Sequence, residues 1–126
     1  MLFATVIAFW LIRYNLRVQQ AEAGLAQARA RLGLSPDGRD DNVNPEQTGT
    51  VRQARAVLDE ARVNRDRSGK LVEQGVVARS DFDSADAAYK VALSRYQDAI
   101  EEIRNRQAVM AQRRSELSLA RQQLAD

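Results

Sequence analysis

The stretch after Ser80 limits the possible folds more than any other part of the chain. Phe82, Ala85, Tyr89, Ala92, Tyr96, Ala99, Ile103, Arg106, Met110, Arg113, Leu117, Ala120 and Leu124 succeed one another at alternating spacings of three and four. That is the a/d stripe of a left-handed coiled coil, and a strand period of two does not fit it. Position a is mostly large and position d mostly Ala, with Arg106 and Arg113 as exceptions. The pattern predicts one long helix over residues 80–125.

An earlier segment repeats the rule. Val51, Ala54, Leu58, Ala61, Arg65, Ser68, Val72 and Gly75 form one series, and Val18, Ala21, Leu25, Ala28 and Leu32 form another. In an antiparallel pair, large a residues face small d residues, so each layer fills without a void. Pairing Phe82 with Gly75, Tyr89 with Ser68, Tyr96 with Ala61 and Ile103 with Ala54 gives a constant residue-number sum centred between Ala78 and Arg79. Leu117–Ala28, Ala120–Leu25 and Leu124–Ala21 share a different constant, so part of the first arm must loop out.

The turn signals agree with both inferences. Gly75 is a residue that closes helix C-termini, and Ser80 with Asp83 forms a capping-box-like start. A short link between two long helices makes them antiparallel neighbours. Both prolines, Pro36 and Pro45, lie with many turn formers between Gly33 and Glu46. The expected fold is therefore all-α: a long antiparallel two-helix coiled-coil hairpin with its first arm interrupted by a loop. Arm one covers 16–34 and 48–75, the loop 35–47, the tip 76–80 and arm two 80–125, within a hairpin of 16–126.

Residues 1–15 form an apolar segment, expected to be a helix extension or membrane-associated. The run Leu2–Ile12 would span roughly 17 Å as a helix, against a hydrocarbon core of ~30 Å. It lacks the basic flank and small-residue cleavage site of a signal peptide, and membrane contact through Leu2–Ile12 is one expectation for it.

Composition removes several kinds of chemistry. The 126 residues include no Cys and no His, which excludes disulfides, thiolate nucleophiles and the usual zinc sites. Nineteen basic and 17 acidic residues are interspersed, with a net charge of +2. No basic stripe or nucleic-acid module stands out, so no nucleic-acid partner is expected. Asp37, Asp40, Asp41 and Glu46 do not meet the spacing of an EF-hand and are expected to belong to a solvated loop. Adjacent Glu101 and Glu102 do not face each other on a helix. The sequence predicts no catalytic residue, no cofactor and no metal. Arg65, Arg106 and Arg113 at seam positions are expected to pack their stems and send their heads to solvent.

The segment Arg67-Ser68-Gly69-Lys70-Leu71-Val72-Glu73-Gln74-Gly75-Val76-Val77-Ala78-Arg79-Ser80-Asp81-Phe82-Asp83-Ser84-Ala85 resembles the hairpin tip of periplasmic adaptor subunits. These are the membrane fusion proteins of tripartite efflux pumps, most similar here to those of the resistance–nodulation–division type. Tyr14–Ala23 likewise resembles the start of their first hairpin helix. In that family an Arg, a Leu four residues later and a Ser seven after that mark the channel-docking tip. Arg67 and Leu71 match, Ala78 stands where the family has Ser, and Ser80 lies nearby. The resemblance implies a non-catalytic adaptor hairpin in the periplasm of a Gram-negative envelope, associated with the inner membrane. It implies an outer-membrane channel protein and an inner-membrane transporter as partners, and a homo-oligomer in the assembled pump. Arg67, Leu71, Ala78 and Ser80 are the implied tip contacts. Family adaptors also carry lipoyl, β-barrel and membrane-proximal domains, to which this stretch does not correspond. The alternative is a generic coiled-coil scaffold or interaction protein.

Overall fold

The computed structural model describes residues 2–125. The described residues form an all-α protein: α1 (Leu2–Arg31), α2 (Gly49–Glu73) and α3 (Arg79–Ala125), with a single 3₁₀ turn at Pro45–Gln47 before α2. Met1 and Asp126, end residues of the expected apolar segment and hairpin, lie outside the described residues. So does the side chain of Leu124, the expected partner of Ala21. Two compact units are present, one from residues 1–43 and 105–126 and the other from 44–104, and α3 contributes to both.

The a/d stripe accounts for the buried apolar residues. Leu25, Ala28, Leu32, Val51, Leu58, Ala92, Ile103, Met110 and Leu117 are the buried hydrophobic side chains, and each falls on one of the heptad series. A stripe recurring at the helical period is what one face of each helix must bury.

Two helix ends are closed by the same device. Gly33 and Gly75 have φ of +74° and +73°, the left-handed region that side chains rarely adopt. At the end of α1 the Gly33 and Leu34 amides donate to the Ala30 and Arg29 carbonyls. At the end of α2 the Gly75 and Val76 amides donate to Val72 and Leu71. Both are Schellman motifs, which satisfy carbonyls left over by the last helical turn.

In the first unit the inserted loop is pinned rather than merely solvated. Arg29, 2% exposed, donates through Nε to the Ser35 carbonyl and through Nη2 to the Asp40 carbonyl, and its Nη1 pairs with the Asp41 carboxylate. Arg114 reaches the same carboxylate at 2.6 and 2.8 Å. Gln107 adds a bond to the Val43 carbonyl. Burying a guanidinium is tolerable when its donors and charge are met in this way. The expectation of a solvated loop is corrected for Asp41, which is committed to two arginines. Among the described residues no group of three acidic, His or Cys side chains could hold a metal ion.

The seam arginines find partners of different kinds. Arg106 donates to the Arg31 carbonyl at the C-terminus of α1, and beside the seam Arg121 pairs with Glu22. The Arg113 stem runs over Gly24, where an added Cβ would lie 3.6 Å from Arg113 Cδ, and its head pairs with Glu116. In the second unit the Arg65 guanidinium sits 4.0 Å over the Tyr89 ring while bonding Asp66.

The register differs from the expected one at the reversal. A Cβ on Gly69 would meet the Phe82 ring at 3.4 Å, so Phe82 packs on Gly69, whereas Gly75 is exposed with nothing near its Cβ position. The cause is local: residues 74–78 are used up by the Schellman turn and the link to α3, so helix-to-helix packing starts lower on α2.

Candidate functional site

The reversal between α2 and α3 carries all four residues implicated by the tip motif. Arg67 and Leu71 are one turn apart on the same face of α2, the spacing at which side chains are neighbours. Arg67 is exposed and Leu71 half-buried. The Leu71 carbonyl accepts the Val76 amide at 2.9 Å, so its backbone is part of the cap that ends the helix. Leu71 is thus less open than an exposed docking residue would be, because it stands at the C3 position over which the chain folds back.

Ala78 and Ser80 lie on the far side of the turn, both exposed. Since α3 begins at Arg79, Ser80 belongs to its first turn and does not cap it; the Ala78 carbonyl accepts the Asp81 amide at 3.0 Å. This replaces the expected capping box. Ala78 has no side-chain oxygen to offer an orphan amide, and the acidic residue in that turn, Asp81, meets the positive end of the helix dipole. Lys70 in the last turn of α2 does the same for its negative end.

Val76 was not among the expected contacts. It follows Gly75, is 64% exposed, and is the large apolar side chain that the turn leaves most open. A hydrophobic residue one position beyond a C-terminal glycine usually folds back onto the helix it leaves. The signal was therefore present in the Gly75-Val76 pair, but it points to packing rather than to display.

Beyond the turn, α2 and α3 frame a shallow groove of about 720 Å³ walled largely by small residues such as Ala61, Ala85, Ala88 and Ala92, with Val57 and Val91 at its rim. Further along, the Tyr96 hydroxyl donates to the Glu46 carboxylate, which also pairs with Arg55 at 3.1 Å. These bonds hold the Glu46 carboxyl below its ordinary range, the Tyr96 bond contributing most, and push the Tyr96 phenol up. The network ties the 3₁₀ turn to α2 and α3.

Comparison with protein-family models, curated proteins and solved structures finds no match to this chain.

Proposed function

We propose that this chain is the hairpin of a periplasmic adaptor and that the reversal between α2 and α3 docks on the helical end of an outer-membrane channel. The observation that carries the reading is the tip itself. A Schellman-closed turn leaves Arg67, Ala78 and Ser80 exposed and Leu71 half-buried.

The fold this requires is an antiparallel two-helix coiled coil within each unit, and the contacts support it. In the second unit Phe82 meets Gly69 and Tyr89 meets Arg65, so moving up α3 means moving down α2. In the first unit Arg106, Arg113 and Arg121 meet Arg31, Gly24 and Glu22 in the same descending order. The role is non-catalytic: the hairpin bridges and seals, while energy coupling belongs to an inner-membrane transporter.

The chain has no cysteine, so single cysteines at positions 67, 71, 78 and 80 give clean cross-linking probes in a Gram-negative envelope. Capture of an outer-membrane channel from these positions, and not from the buried positions 58 and 103, is the expected result. Capture of other copies of the chain alone would favour the scaffold reading instead.

A further inference from the structure

The first turns of α1 are apolar all the way round. Every large side chain from Leu2 to Ile12 is more than half exposed, from 52% at Leu11 to 84% at Phe3. A helix that docks in a protein groove needs one apolar face and shows a polar one to water, and this segment has no polar face. Its one hydroxyl, that of Thr5, donates to the Leu2 carbonyl. Satisfying polar groups within the helix is what a hydrocarbon surrounding demands.

The chemistry changes abruptly at the next turn. Trp10 and Tyr14 lie with ring centroids 5.3 Å apart, and the Arg13 guanidinium sits 5.6 Å over Phe9. Trp10, Arg13, Tyr14 and Arg17 line a hollow of about 100 Å³. The first acidic residue along the chain is Glu22, so Arg13 and Arg17 form a purely basic collar. Trp and Tyr favour the headgroup level of a bilayer, and basic residues there attract anionic lipid. Among the described residues no helix is long and apolar enough to cross a membrane.

We infer that the Leu2–Ile12 side chains enter the hydrocarbon of an anionic bilayer, with a lipid phosphate seated between Arg13 and Arg17 against Trp10 and Tyr14. This does not rest on the tip reading, since the surface lies in the other unit and its assay involves no channel.

Trp10 is the only tryptophan, so intrinsic emission reports on this segment alone. With the full chain and vesicles rich in phosphatidylglycerol, emission shifts to the blue and is quenched by lipids brominated on the acyl chain. Arg13→Gln with Arg17→Gln weakens that binding on the order of tenfold or more, and added salt weakens the wild type. Phosphatidylcholine vesicles bind much less, and inorganic phosphate alone leaves the emission unchanged. Ile7→Asp abolishes insertion while circular dichroism shows the helices intact. Equal, salt-independent binding to both vesicle types overturns the phosphate seat. A blue shift that depends on protein concentration without any lipid means self-association, and it overturns the proposal altogether.

Discussion

Arg29 and Asp41 form an ion pair that fastens the inserted loop to the helix preceding it. Arg29 is almost wholly buried, whereas Asp41 is shared with Arg114 at the surface. Replacing Arg29 with Met keeps much of the volume but leaves the Ser35 and Asp40 carbonyls without their donor. With Asp41 still held by Arg114, the cost is that of the lost hydrogen bonds to the two carbonyls, about 1–3 kcal/mol. Urea unfolding followed by circular dichroism should show that loss, with a smaller one for Arg114→Met, whose side chain is 39% exposed.

Three glycines should respond differently to alanine. At Gly38 an added Cβ would lie 2.6 Å from Arg29 Nη2, which cannot retreat without losing its carbonyl, so Gly38→Ala should cost about 1–3 kcal/mol. At Gly75 there is open space, but φ is +73°, and the left-handed backbone alone costs roughly 1–2 kcal/mol. At Gly69 the Cβ would make an ordinary 3.4 Å contact with Phe82 inside α2, where alanine is favoured by up to about 1 kcal/mol. Denaturation midpoints of the three variants should therefore fall in the order Gly69→Ala highest and Gly38→Ala lowest.

Those contrasts mark how far the sequence could be read. Burial of Leu58, Ile103 and Met110 followed from spacing alone, because a helix repeats its face whatever it packs on. Gly75 as a helix end was equally legible, since few residues other than glycine accept its φ. Arg29 was not legible: it stands beside the stripe at a position that ordinarily faces solvent, and its partner Asp41 lies in an aperiodic loop. The pairing of Phe82 with Gly69 was missed for a related reason. Heptad arithmetic counts residues as if all were helical, and the turn at 74–78 is not. At the tip, Arg67 is exposed, as its place off the a/d stripe allows, but the half-burial of Leu71 depends on the Schellman geometry, which spacing does not encode.

The Tyr96–Glu46 bond makes a pH-dependent contribution to stability. The Glu46 carboxyl is lowered from 4.5 by the Tyr96 hydroxyl and by Arg55. A depressed acid stabilises the fold fully above its unfolded value, and this is lost as pH falls through the folded one. Tyr96 is raised from 10.0, so its share is present below that value and fades as pH climbs through the higher one. The melting temperature of Tyr96→Phe should lie below wild type near pH 7. The gap should close once pH drops under about 4, where carboxylates protonate. A gap that persisted at pH 3 would assign the effect to the Tyr96 hydroxyl independently of the Glu46 charge.

The tip reading separates function from stability at single residues. Arg67 is exposed on α2 and makes no contact that ends the helix, so Arg67→Glu should change stability by no more than about 0.5 kcal/mol. If its charge meets the channel, the same change should remove channel capture from a cysteine at position 80. Val76, 64% exposed, should behave likewise: Val76→Ser should leave the melting temperature nearly unchanged and weaken capture. Leu71→Ala should do both, since the half-buried side chain is partly withdrawn from water where the chain folds back. Thermal unfolding and cross-linking yield measured on the same three variants distinguish these patterns. Loss of capture by Leu71→Ala alone would mean that the turn must be well formed but that its surface does not dock.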